Sequence, residues 1–307
     1  MNNLPQITDV LSLLDHMRND EVAAAPQFGP QAIDEARQNL EQAVFEVLAP
    51  SSAQHEKIWD APSESIEQGA KVEGALEGIR SPRAKGPFSD RLSQFIYSVP
   101  KPVTIISTNY DIEVDSILFR DRAYAQIWAQ IDLGFDARDP YSGGVLGRPS
   151  RPEFALFKLH GSLNWLRCSL CGHVYMNPLG SIAYLAFLER STPATTCHCG
   201  FPSLRHLLVA PSFVRDIREP NILTVWRSAL EALRTTSRWY FLGYSLPPED
   251  IAIRSIILRA YHARKPGNRP EAVIVQGSGN TKQRFEMMFG NMQFHSDGIE
   301  AFLGTAA

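Results

Sequence analysis

Apolar positions recur along the chain in two periods, and the order of those periods predicts an α/β protein. Val10, Leu11, Leu14 and Met17 fall at helical spacing behind Thr8, a residue suited to cap them. A second helix is predicted from about 31 to 48, with Ile33, Ala36, Leu40, Val44 and Leu48 on one stripe, Pro30 at its start and Pro50 at its end. The stretch 51–85, rich in Ser, Glu, Gly and Pro, reads as weak helix and loop. Ser89 is suited to cap a third helix carrying Leu92, Phe95, Ile96 and Val99. The pattern then changes to short, continuous apolar runs at Val103–Ser107, 154–159, 207–210, 239–242 and 272–275. Such runs are expected of strands covered on both faces. Helical patterns at about 221–234 and 249–264 separate the last three. Strands spaced by crossover helices imply a Rossmann-like parallel sheet with helices on both faces. The window 163–206 interrupts the pattern and reads as a small inserted module. The expected organisation is therefore a mainly helical part over 1–100, the sheet domain over 101–162 and 207–307, and the insert between them.

Bulk properties fit this picture. The chain has 307 residues, 44% apolar and 21% charged, within the range of globular proteins. A chain of this size can bury about 75% of its unfolded surface and needs no covalent staples. The net charge of −3 argues against a broad nucleic-acid footprint, which needs a basic face. No apolar run is long enough to span a membrane, and the first residues have neither the basic nor the apolar region of a signal peptide. The expected compartment is the cytoplasm.

In an open parallel sheet, ligands bind beyond the carboxyl ends of the strands. Polar residues directly after a buried run therefore carry most weight. These are Thr108-Asn109-Tyr110-Asp111, His160-Gly161-Ser162, Gly243-Tyr244-Ser245-Leu246 and Gly277-Ser278-Gly279-Asn280, the last opening a helix at about 281–289. Each also has a structural reading. Asn109 and Asp111 are residue types that lead at helix caps. A histidine after a strand is more often structural than chemical. Gly243 and the Gly277-x-Gly279 pair suit simple turns.

All four cysteines fall in the inserted window, as Cys168-x2-Cys171 and Cys197-x-Cys199. Two short-spaced thiolate pairs supply the tetrahedral set that zinc takes in closed, structural sites. His173 and His198 are spare ligand candidates.

Together these motifs resemble the sirtuin family. The closer match is to prokaryotic sirtuin-like domains, in Ser107-Thr-Asn-Tyr-Asp111, Lys158-Leu-His-Gly-Ser-Leu-Asn-Trp165 and Leu242-Gly-Tyr-Ser-Leu246, with the four-cysteine insert in the expected place. The likeness covers about residues 100–303. It implies an NAD-binding Rossmann-like domain that breaks the nicotinamide–ribose bond. By that likeness His160 is the general base, Asn109 orders the ribose and a water, and Asp111 holds the carboxamide. Thr108, Gly243, Ser245 and Leu246 line the cofactor, and Gly277, Ser278 and Asn280 face the adenosine.

Two departures shape the functional expectation. The family opens with a strand and a Gly-Ala-Gly-x-Ser loop, whereas this sequence starts Met-Asn-Asn-Leu-Pro-Gln. The start is therefore expected to be truncated. The family's peptide-pairing Phe-Gly-Glu stretch is replaced by Leu208-Val-Ala-Pro-Ser-Phe-Val-Arg-Asp216. That brings forward water as acceptor, as in the sirtuin-like effectors of antiphage defence, beside transfer to an acyl-lysine of a peptide or protein. The rival expectations are a non-catalytic NAD or ADP-ribose binding module and a zinc-ribbon interaction protein.

Overall fold

The computed structural model describes Leu14, Gly29, 31–36, 39–40, 43, 87–119, 124–139, 144–176, 196–201, 204–209, 219–248, 250–277, 279–290 and 292–306. The expected loop at 51–85 lies outside the described residues. So do Ser278 and most of the two helices predicted before it. Of those helices, Leu14, 31–36, 39–40 and 43 are helical; on the predicted stripe Ile33 is buried, whereas Leu40 is half-buried and Ala36 is exposed. The chain divides into two compact units, one of Met1–Lys85 with Lys101–Val225, the other of Gly86–Pro100 with Trp226–Ala307.

From residue 101 the first unit runs through β1 (Val103–Ser107), which is followed by helices α2 (Glu113–Phe119) and α3 (Tyr124–Gln130). Then come β2 (Ile131–Asp132), β3 (Ala137–Arg138), β4 (Val145–Leu146), β5 (Phe154–Lys158), β6 (Gly161–Cys168), β7 (Val174–Met176) and β8 (Leu204–Leu208). Strands β1, β5 and β2 form a parallel sheet in that order, with Val103 opposite Phe154 and Ser107 opposite Lys158. Every residue of β5 is buried, as its unbroken apolar run requires of a central parallel strand. A second sheet has the order β4-β3-β7-β6-β8 and is largely antiparallel.

The run at 207–210 does not extend the parallel sheet as its sequence pattern predicts. Leu207 and Leu208 end β8, which pairs antiparallel with β6, Cys168 opposite Leu204 and Gly161 opposite Leu208, while residue 210 lies outside the described residues. The chain passes from β5 to β6 through the two-residue turn Leu159–His160, without a crossover helix, and enters the second sheet. Parallel pairing needs such a crossover.

Gly161 makes the turn possible. Its φ is +80°, and a Cβ placed there would sit on the Leu207 carbonyl oxygen, well inside van der Waals contact. Neither the left-handed backbone nor the close approach admits another residue.

The second unit opens with α1 (Pro87–Ser98). It continues from the last part of α4 (Pro220–Thr235) through β9 (Arg238–Leu242), α5 (Ile251–His262), β10 (Glu271–Val275), α6 (Gly279–Phe289), β11 (Gln293–His295) and α7 (Gly298–Ala306). Its three strands form a parallel sheet, β11-β10-β9. Side chains alternate across a strand, and β9 shows it. Trp239 and Phe241 meet Phe289 at 6.0 and 5.6 Å, and Phe241 meets Phe285 at 5.0 Å. Tyr240, between them, meets Phe302 of α7 at 6.4 Å and Phe95 of α1 at 5.2 Å. Helices thus cover both faces, as the sequence pattern predicts. Ser89 is buried within α1 rather than capping it.

The fold is mixed α/β, with parallel sheets, flanking helices and a four-cysteine module. Among the described residues no helix is long and apolar enough to cross a membrane.

Gly161→Ala should lower the stability of the first unit by about 3 kcal/mol or more, because steric overlap adds to the left-handed strain. Gly172→Ala, also at positive φ (+76°) but with open space around it, should cost about 1–2 kcal/mol. Urea unfolding of both variants checks the difference.

Candidate active site and metal centre

In the first unit, β1 and β5 end side by side, and the Leu159 N–H donates to the Ser107 carbonyl at 2.9 Å. The segments 108–112 and 159–163 therefore leave the sheet from one edge. His160 sits in the tight turn, 5% exposed, with Nδ1 3.0 Å from the Thr108 carbonyl. A carbonyl only accepts, so Nδ1 carries the hydrogen and Nε2 is the basic nitrogen of the neutral ring. Asn109 is the next residue along and is exposed; its N–H donates to Ser107 Oγ at 3.1 Å. The structure thus brings His160 and Asn109 together at the strand ends. Asp111 performs the capping role open to it, its Oδ1 accepting the Glu113 N–H at 3.0 Å at the start of α2.

The loop is stitched to the turn at several points. The Leu163 N–H donates to the Tyr110 carbonyl at 3.0 Å, the Tyr110 hydroxyl donates to the Val209 carbonyl at 2.6 Å, and the Val209 N–H donates to the His160 carbonyl at 2.8 Å. The Tyr110 and His160 rings lie 6.0 Å apart.

Beneath these segments lies a group that sequence reasoning missed. Lys158 is 1% exposed. Its Nζ donates to Asp115 Oδ2 at 2.9 Å, to Ser162 Oγ at 2.8 Å and to the Asp111 carbonyl. Burial pushes the Asp115 carboxyl above its ordinary range, while Lys158 pulls it back. The only signal in the sequence was a charged residue ending an otherwise apolar run.

The cysteines converge as their spacing predicts. All four Sγ atoms lie within 4.8 Å of one another, with Cys168–Cys199 at 3.7 Å and Cys171–Cys197 at 3.4 Å. Tetrahedral zinc with Zn–S near 2.3 Å separates its sulfurs by about 3.8 Å, so the set fits zinc with little movement. Two turns present the thiols. The Cys171 N–H faces Cys168 Sγ at 3.5 Å, and the Gly200 N–H donates to the Cys197 carbonyl at 2.9 Å.

Cys171, His173 and His198 form a second trio within the same spread. However, Arg138 Nη2 lies 3.4 Å from His173 Nε2, and a guanidinium only donates. His173 Nδ1 therefore carries its proton and directs an N–H at Cys171 Sγ, 3.3 Å away. That makes His173 a donor to the Cys171 sulfur rather than a ligand. Tyr175 supports the other pair, its hydroxyl 3.2 Å from Cys197 Sγ. Burial opposes ionisation of Cys197, but the Cys199 N–H and the Tyr175 hydroxyl outweigh it and draw the thiol down to about 6. With four thiolate positions filled, the centre offers zinc no open coordination site.

The second unit gathers its own candidates at the carboxyl edge of β9 and β10. Gly243 has φ +67°, its N–H donates to the Val275 carbonyl at 3.0 Å, and it is followed by Ser245 and by Leu246 at φ +52°. Gln276, which sequence reasoning passed over, ties this turn to the next. Its Nε2 donates to the Gly243 carbonyl at 3.2 Å and its Oε1 accepts the Gly277 N–H at 2.8 Å. Arg284 of α6 donates to the Ser245 carbonyl at 3.1 Å. Gly277 and Asn280 flank the start of α6, and both are exposed.

No family model matches the chain, and no curated protein does. In fold the chain is similar to solved structures of sirtuins. One, from work on the mechanism and regulation of Sir2 enzymes, is 15% identical with a TM-score of 0.37, covering 76% of this chain and 71% of that one. Another, from work on sirtuin substrate affinity, is 14% identical with a TM-score of 0.40, covering 77% of each.

The purified protein should contain about one zinc per chain, as a closed tetrathiolate set requires. Cys168→Ser should cut that content and lower the thermal midpoint. Metal analysis alongside melting checks both, and full zinc content in the variant would refute the four-sulfur site.

Proposed function

We propose that this protein binds NAD and cleaves its nicotinamide–ribose bond. The observation that supports this best is the imidazole of His160, held by Nδ1 on the Thr108 carbonyl beside Asn109. A neutral imidazole in a fixed tautomer is suited to take a proton from a ribose hydroxyl. As the bond to nicotinamide breaks, positive charge develops at the anomeric carbon, as in glycoside hydrolysis. The Asn109 amide is suited to order the ribose and an incoming water. The Asp111 carboxylate, although one oxygen caps α2, keeps acceptor capacity for the carboxamide. The roles of Thr108, Gly243, Ser245, Leu246, Gly277, Ser278 and Asn280 as nucleotide-lining residues rest on the sequence resemblance. Zinc, when bound, supplies stability to the cysteine module.

The acceptor is water or an acyl-lysine, the first being the reading that the Leu208–Asp216 stretch favours. Incubating the protein with NAD, with and without an acetylated peptide, and measuring free nicotinamide separates them. Release without peptide identifies hydrolysis, and release only with peptide identifies deacylation. His160→Ala should reduce either rate by about 100-fold or more while circular dichroism stays that of the parent. Binding of NAD or ADP-ribose by calorimetry with no release under either condition would overturn the catalytic reading in favour of a binding module.

A further inference from the structure

We propose that Lys158 is a positioning residue, its buried ammonium clamping the Asn109-bearing loop to the His160 turn and so setting the approach of one side chain to the other. The inference rests on reading that edge as the NAD-cleaving site.

An ammonium has three N–H donors. Those of Lys158 go to three segments of chain: Asp115 Oδ2 in α2, the Asp111 carbonyl in the loop after β1, and Ser162 Oγ in β6. Lys158 and Ser162 stand two residues either side of His160, so the clamp grips the turn at both ends. On the loop it holds Asp111, two residues beyond Asn109. The imidazole then closes the ring from above through the Thr108 carbonyl.

As a stabiliser alone the arrangement is inefficient. Both charged side chains are almost fully buried, at 1% and 3% exposure. Asp115 Oδ1 is buried with no hydrogen-bond partner. Hydrophobic residues of similar volume replace such pairs at little or no cost. What they cannot do is hold three oxygens in one geometry. Small displacements of reacting groups cost rate steeply, so a fixed loop-to-turn distance is what the clamp adds.

The experiment removes both charges at once, with the double variant Lys158→Met/Asp115→Leu. The thermal midpoint should stay close to that of the parent. The single variant Lys158→Met should melt well below it, since Asp115 is left buried and unpaired. In the double variant kcat for nicotinamide release should fall about tenfold or more with KM little changed. In the ¹⁵N spectrum of its His160, the signature of an Nδ1–H bonded to a carbonyl should weaken towards a mixture of tautomers. A double variant that retains kcat within twofold, or an unaltered His160 spectrum, would overturn the proposal. The spectrum also separates it from the NAD reading. If the parent releases no nicotinamide, the chemistry is wrong, and the His160 signature alone decides whether the clamp positions the ring. Should the double variant fail to fold, Ser162→Ala removes one donor–acceptor link while the Lys158–Asp115 pair stays in place. The same loss in kcat and the same spectral change are then expected, and a parent-like result in both overturns the clamp.

Discussion

A buried ammonium cannot be left with an empty donor, and much of the first unit is arranged around that constraint. Lys158 ends the strand with its side chain inside, where desolvation of the charge costs several kcal/mol unless oxygens surround it. Asp115, Ser162 and the Asp111 carbonyl provide them. Meeting that demand joins α2, the loop after β1 and the first residues of β6 to the end of β5. His160 lies between the two ends of the clamp, so its position follows from the packing below it. That edge of the sheet is then a product of two segments distant in sequence, 111–115 and 158–162, drawn to one charge.

The cysteine centre joins the same construction through apolar contact. Cys168 and Cys197 are buried in a cluster with Ile112, Leu163, Leu166 and Tyr175, against which Tyr110, Leu204 and Leu208 pack. Ile112 and Tyr110 belong to the loop that carries Asn109 and Asp111. Leu163 and Leu166 belong to β6, which leaves the His160 turn. A closed four-sulfur set makes no bond to substrate, so its influence on the site runs through this shared core. Outer groups keep the sulfurs in place. His173 directs an N–H at Cys171 with its tautomer set by Arg138, and Tyr175 stands against Cys197.

Where the sequence was legible, the signal was local. The runs Val103–Ser107 and 272–275 read as buried strands; both are strands, β10 buried over four of its five residues and β1 only half-buried along its length. Cysteine spacing predicted a four-sulfur cluster because metal geometry leaves few other uses for two short pairs. That His160 and Asn109 follow two strands ending at one edge was legible through strand-end placement. What was hidden depended on contacts between distant residues. β6 was invisible because its first residues, Gly161 and Ser162, look like a loop motif, and only the approach of Gly161 to Leu207 shows why a glycine is needed there. The antiparallel pairing of β8 with β6 was likewise not legible in the apolar run at 207–210. Lys158 was passed over because a lone lysine closing an apolar run gives no sign of Asp115, which lies in another element. Asp111 carried two readings, and its bond to the Glu113 N–H establishes the structural one without using up the carboxylate.

Glutamine 276 performs in the second unit the service that Lys158 performs in the first, by a gentler route. Gln276 accepts from one turn and donates to the other with a neutral amide, at the rim of the sheet rather than beneath it. An exposed amide costs little to desolvate, so it needs no compensating partner in the core. The contrast follows from depth. Loops joined at the surface can be tied by a neutral group that water would also satisfy, and such a tie is correspondingly easy to open. A loop tied from below by a saturated, buried cation has no comparable exchange with solvent. The tie on the loop of Asn109 and Asp111 is therefore the harder of the two to open.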